Sequence, residues 1–136
     1  GHLLRLDPLS CAMIVQSWDA WPLVRNPRVA ARLLLGPQSL VNPEEWHAHL
    51  CRESALVMFQ HHPPHWQPPR PIHTPMLIYA GELDAGIHPQ ELHSSAAFYA
   101  CDFMLAERAG HNLMMEHNYR QVARDIHVWL AARDIQ

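Results

Sequence analysis

Two side chains in the C-terminal half of the sequence have the types and the setting that proton-transfer chemistry needs. Asp84 lies in the segment GELDAG, and His111 lies in the segment RAGHN. An imidazole titrates near neutral pH and can act as a general base, while a carboxylate beside it can fix its tautomer and stabilise the imidazolium. Neither group attacks an ester by itself, so such a pair needs a nucleophile to activate.

The elements before these two residues must bring their loops together. The short apolar runs MLIYAG and DFMLAE are typical of buried parallel strands, near 76–80 and 102–107. Between them, the segment that begins at Pro89 predicts a helix. A strand-helix-strand unit places the carboxyl ends of both strands at one edge of the sheet, where ligands and catalytic groups gather.

Sequence patterns in the rest of the chain predict one further strand and several helices. A continuous apolar run near 11–16 is typical of a buried parallel strand, although periodicity alone does not exclude a helix there. Asn26 and Asn42 each precede a proline and predict helix N-caps, and Asn118 predicts the start of the last helix with a capping box. Six prolines between residues 61 and 75 predict an extended linker.

Composition limits the classes of partner. The formal net charge is -3, and no run of basic residues occurs, which argues against nucleic acid or an anionic membrane surface. The three cysteines are widely spaced and odd in number, as expected for reduced thiols in the cytoplasm. Because every apolar run is shorter than the roughly 20 residues that span a bilayer, we expect no membrane segment.

The two loop segments also resemble a known family. TPMLIYAGELDAGIHP followed by GHNLMMEHNYRQVARDIHVWL resembles the C-terminal third of an α/β-hydrolase. The acid motif P-x-L-x-x-x-G-x-x-D is matched by Pro75, Leu77, Gly81 and Asp84. The histidine motif is matched by Gly110, His111, Glu116 and the pair Trp129-Leu130. The acid precedes the histidine, which is the chain order of that fold.

The resemblance implies an α/β architecture. We expect a partial α/β-hydrolase fold with flanking helices, a helical cap insertion and about three parallel strands, near 11–16, 76–80 and 102–107. Residues 1–16 would hold the end of a core helix and a core strand, residues 17–73 the cap with its proline-rich return linker, and residues 74–136 the C-terminal core. Cap side chains would line a substrate pocket or form the cap's own core: Trp18, Trp21, Trp46, Met58 and Phe59.

The implied activity is hydrolysis of a carboxylic ester or a related acyl compound, with His111 as general base and Asp84 as its orienting acid. None of the six serines lies in the G-x-S-x-G elbow of the family, so the serine is expected outside this chain. One alternative is an enzyme of the epoxide hydrolase or haloalkane dehalogenase type with an aspartate nucleophile. Another is a non-catalytic fragment or interaction module.

Partners and cofactors follow from the same reasoning. A small-molecule substrate is expected, together with either a complementing N-terminal chain or self-association through the sheet edge that a strand at 11–16 would expose. No cofactor is expected. The histidine cluster His61, His62 and His65 matches no metal-binding spacing, so we expect no metal site there.

Overall fold

The computed structural model describes residues 8–17, 19–52, 54–60 and 71–135. The elements in chain order are helices α1 (Pro8–Ser17), α2 (Trp21–Val24), α3 (Pro27–Leu34), α4 (Pro43–His47) and α5 (Ala55–Gln60), strand β1 (Leu77–Gly81), helix α6 (Pro89–Tyr99), strand β2 (Asp102–Ala106), a 3₁₀ helix (Leu113–Met115) and helix α7 (Tyr119–Ala131). None of the helices in this described part combines the length and apolar character that a bilayer-spanning segment requires.

A parallel pair of strands forms the framework of the C-terminal half. β1 and β2 pair in register, with Leu77 opposite Asp102 and Gly81 opposite Ala106. α6 provides the crossover and ends at Ala100, which adopts the left-handed conformation. The carboxyl ends of both strands therefore lie side by side, as the strand-helix-strand pattern predicts.

α7 is attached to this pair by apolar and polar contacts. Val122 packs against Ala106 and Ala109 in one core cluster. The Trp129 indole donates a hydrogen bond of 2.8 Å to Asp102, and the Tyr79 hydroxyl donates one of 2.7 Å to Asp125. These contacts hold the last helix against both strands and fix the loop that leaves β2.

Helices α3 and α4 begin where the asparagine and proline signals predict. The Asn26 side chain accepts from the Arg28 amide at the start of α3, and the Asn42 side chain accepts from the Glu44 and Glu45 amides at the start of α4. α4 is short, and α5 is a separate helix. Inside this region Ala30, Leu35 and Trp46 form a buried cluster.

The expected strand near 11–16 is wrong, because these residues lie within helix α1. The run is apolar on nearly every residue, so it contains no period that separates a strand from a helix. Only Ile14 and Val15 in it are β-branched, and the helix begins at a proline, which the first turn tolerates. With a two-stranded sheet in the described residues, the expectation of a partial α/β-hydrolase fold with about three parallel strands is also wrong.

The correction removes one reason for a partner. Residues 11–16 contribute no sheet edge, so the edge that this segment was expected to expose is absent. Within the described residues β1 and β2 pair only with each other, which leaves one unpaired edge on each strand.

Candidate active site

The acid residue lies in a tight turn directly after β1. The amide of Leu83 donates to the carbonyl of Ala109 at 2.8 Å, and the amide of Asp84 donates to the carbonyl of Gly81 at 3.2 Å. Glu82, two residues before Asp84, accepts from the Arg108 amide at 2.8 Å and so ties the two exit loops together. The turn is thus bonded to the loop that carries His111.

Both carboxylate oxygens of Asp84 have partners. Oδ1 accepts from the backbone amides of Gly86 and Ile87, at 2.8 and 2.9 Å, and Oδ2 lies 2.8 Å from Nδ1 of His111. The residue is only 6% exposed. A buried carboxylate with three donors around it is held in one orientation.

His111 is positioned to use one ring nitrogen for Asp84 and to offer the other. An ionised carboxylate can only accept, so Nδ1 carries the proton and donates it to Asp84. Nε2 has no hydrogen-bond partner among the described residues and keeps its lone pair free in the neutral ring. The side chain is 35% exposed, which leaves it accessible to a reacting group.

The two pKa shifts point to the same ion pair. Burial works against ionisation of Asp84, but the hydrogen bonds from His111, Ile87 and Gly86 outweigh it and hold its pKa below the usual value. For His111 the hydrogen bond to Asp84 is the largest influence; partial burial opposes it, and the pKa is raised above the usual value. The pair therefore favours a charged imidazolium next to a charged carboxylate.

Gly110 brings His111 close to two other parts of the chain. A Cβ on Gly110 would lie 2.3 Å from the Gly36 nitrogen, and a Cβ on Gly81 would lie 2.0 Å from the Gly110 carbonyl oxygen. The Gly110 backbone is therefore enclosed between the end of β1 and the segment after α3. Only residues without a side chain permit this approach.

An apolar cavity of about 350 Å³ opens beside His111. Its walls come from α2, the end of α3, Leu50, Cys51 and the Gly86-Ile87 segment. None of the described residues that line it carries a fixed charge. A volume at the lower end of the range for small-molecule sites, with one imidazole among apolar groups, suits an uncharged organic substrate.

The residues expected to line a pocket have different positions. Trp21 lines the cavity, whereas Trp46 is 7% exposed and packs in the cluster with Ala30 and Leu35. Trp18 and the side chains of Met58 and Phe59 lie outside the described residues.

Several lining residues were not identified from the sequence. Leu33 and Leu34 belong to a helix that looks like ordinary core, and Ile87 gives a signal only through its position three residues after Asp84. Leu50 and Cys51 are placed at the cavity by packing between distant segments.

No serine among the described side chains is bonded to His111. Ser39 donates to the Met115 carbonyl, and Ser94 and Ser95 donate to helix carbonyls of α6. Cys51 is a free thiol on the wall of the same cavity. The described residues therefore contain a hydrogen-bonded pair of imidazole and carboxylate without a hydroxyl group bonded to it.

Comparisons with protein families, with curated proteins and with solved structures found no match. No group of three potential metal ligands occurs among the described residues, and the cluster His61, His62 and His65 lies outside them. The candidate site is thus defined by its own geometry.

Proposed function

We propose that this chain provides the histidine and acid of a hydrolase that cleaves a carboxylic ester or a related acyl compound. One observation carries the proposal. His111 donates from Nδ1 to a buried Asp84 at 2.8 Å, while Nε2 has no partner among the described residues and the side chain lines an apolar cavity. The match of both loops to the acid and histidine motifs of α/β-hydrolases supports the same roles.

The reaction divides into acylation and deacylation. In acylation a serine hydroxyl attacks the ester carbonyl while Nε2 of His111 takes its proton, and the same proton then passes to the departing alcohol. In deacylation Nε2 takes a proton from water, which attacks the acyl-serine, and returns that proton to the serine. Asp84 remains ionised and stabilises the imidazolium in both halves.

We place the serine outside these 136 residues, either in another part of the same polypeptide or on a complementing chain. The observation behind this part is that Nε2 of His111 has no hydroxyl partner among the described residues. In the part of the chain that the structure describes, β1 and β2 each have one unpaired edge, to whose backbone groups a complementing chain could add a strand. The free thiols Cys51 and Cys101 suit a reducing compartment, and we place the enzyme in the cytoplasm.

A fluorophosphonate probe tests the proposal on material purified without denaturation. We expect intact mass spectrometry to show the label on a serine outside residues 1–136, in a longer form of this polypeptide or on a second, co-purifying chain. A label on Cys51, or the absence of both a label and a second chain, would contradict the proposal.

Substitution tests the role of the histidine in the same preparation. His111→Ala should abolish esterase turnover, because no other described side chain is paired with Asp84. The matched control is His127→Ala, at an exposed position on α7, which should keep full turnover. Retained turnover in His111→Ala would exclude the assigned base.

A further inference from the structure

Glu116 is the one large side chain in the described residues that is completely buried. It is 0% exposed and follows the 3₁₀ helix Leu113–Met115, five residues after His111. Removing a carboxyl group from water costs free energy unless hydrogen bonds replace the lost hydration. Its contacts therefore indicate what the protein gains from this position.

The Glu116 carboxyl group makes a single hydrogen bond in the described structure. Oε1 accepts from the Gly36 amide at 2.7 Å, across 80 residues of sequence. Oε2 is buried without a hydrogen-bond partner among the described residues. A leucine of similar size would avoid the cost of burying this oxygen, but it would leave the Gly36 amide without its acceptor. The group thus serves the contact with Gly36.

The hydrogen bond from the Gly36 amide to Glu116 is one of several contacts between the segment around the end of α3 and the loop that carries His111. The end of α3 and the segment after it are bonded to the residues that follow His111: the Asn112 amide donates to the Leu34 carbonyl at 3.0 Å, and the Leu40 amide donates to the Met115 carbonyl at 2.9 Å. Beside these bonds the Gly36 and Gly110 backbones approach closely, since a Cβ on Gly110 would lie 2.3 Å from the Gly36 nitrogen. The hydrogen bond to Oε1 of Glu116 fixes the position of Gly36 in this contact.

We infer that Glu116 is a positioning residue for His111. By binding the Gly36 amide it fixes the end of α3 against Gly110, and so fixes the separation between the imidazole and the cavity wall that Leu33 and Leu34 form. The inference rests on the proposed function of His111. Glu116 itself contacts neither the cavity nor Asp84 in the described structure.

Three substitutions at position 116 test whether the hydrogen bond to the Gly36 amide positions His111. Glu116→Gln keeps an oxygen for the Gly36 amide, Glu116→Asp keeps the carboxyl group but shortens its reach by one methylene, and Glu116→Ala removes the acceptor. Ser39→Ala is the matched control, because it deletes another hydrogen bond between the same two segments, the 3.0 Å bond to the Met115 carbonyl.

The readout is the proton on Nδ1 of His111, observed by NMR together with hydrogen exchange of the Gly36 amide. In Glu116→Asp we expect the Nδ1 proton and the Gly36 amide to exchange with solvent at least about tenfold faster than in the unsubstituted protein, while Glu116→Gln restores slow exchange of both. Glu116→Ala should behave like Glu116→Asp where it folds. Ser39→Ala should leave the Nδ1 proton unchanged.

Two results would overturn the inference. One is slow exchange of the Nδ1 proton of His111 in Glu116→Asp. The other is the same acceleration of exchange in Ser39→Ala, which would mean that losing any hydrogen bond between these two segments has this effect. In the active complex kcat should fall about tenfold or more in Glu116→Asp with little change in KM, because the base is misplaced while the cavity persists. The NMR readout needs no turnover, so failure of the proposed hydrolase activity and failure of this inference are distinguishable.

Discussion

At the scale of single residues, the site depends on a carboxylate that must stay ionised to orient an imidazole. Oδ1 of Asp84 is occupied by the Gly86 and Ile87 amides, so Oδ2 is left for His111. In Asp84→Asn the amide group cannot satisfy both sets of donors, because one of its two polar atoms is itself a donor. We expect kcat of the active complex to fall by about 10³-fold or more, with the fold retained by circular dichroism. A fall in kcat of less than about tenfold would contradict the role of Asp84 in orienting His111.

Gly110 and Gly86 both lie beside the Asp84–His111 pair, but they differ in the space around them. A Cβ on Gly110 would meet backbone atoms at 2.3 and 2.5 Å, whereas a Cβ on Gly86 would meet the nearest atom, Oδ1 of Asp84, at 3.3 Å. Gly110→Ala should therefore lower the free energy of unfolding by about 3 kcal/mol or more, while Gly86→Ala should lower it by less than about 1 kcal/mol. Urea denaturation of the two variants measures the difference, and equal losses would contradict the close approach.

At the scale of elements, local signals predicted what depends on local chemistry. β1, α6 and β2 appear within one or two residues of the expected positions, because short apolar runs and the proline at the helix start are decisive there. α1 was expected as a strand because its apolar run carries no period. The expected capping box at Asn118 is also wrong: its side chain donates to the Glu107 carbonyl, and Gln121 pairs with Asp125. For α1 the apolar pattern does not distinguish a strand from a helix, and at Asn118 the side chain is bonded to the loop after β2 instead of to its own helix.

The N-cap of α4 gives a test at this scale. Oδ1 of Asn42 accepts from the Glu44 and Glu45 amides, at 2.9 and 3.3 Å, and the helix places Trp46 in its buried cluster. Asn42→Ala should lower the free energy of unfolding by about 1 kcal/mol, since two amides at the helix start lose their acceptor. Asn42→Asp keeps an acceptor and should be close to neutral. Thermal or urea unfolding distinguishes the pair, and indistinguishable variants would exclude capping as the source of the stability.

At the scale of the whole molecule, the candidate site unites parts of the chain that the sequence does not relate. The meeting of Asp84 and His111 could be predicted, because one strand-helix-strand unit places both loops at one edge of the sheet. The cavity walls from α2 and α3, and the bond from Glu116 to Gly36, could not be predicted, because they arise from packing between segments that are far apart in the sequence, 80 residues in the case of that bond. Long-range contacts of this kind leave no periodic signal in the chain.

The response of the whole molecule to pH follows from the two shifted pKa values. The pKa of His111 is raised in the folded state, so its contribution to the free energy of unfolding is complete below the ordinary histidine value of about 6.5 and is lost as the pH rises through the folded value. The pKa of Asp84 is lowered, so its contribution is complete above the ordinary value of about 3.9 and is lost as the pH falls through the folded value. The pair therefore stabilises the protein most between these two ordinary values.

Above pH 6.5 turnover should increase with pH, whereas the stabilising contribution of the His111–Asp84 pair decreases. His111 acts as a base only when Nε2 is unprotonated, so kcat/KM should rise through a pKa above the ordinary histidine value, in the range where the ion pair loses its stabilising effect. Urea denaturation of the unsubstituted protein and of His111→Gln across the pH range isolates the contribution of the pair to stability. The difference between the two should decrease as kcat/KM of the active complex increases. A difference that stays constant from pH 5 to pH 9 would contradict the raised pKa of His111, because it would mean that folding does not change the number of protons bound at this residue in that range.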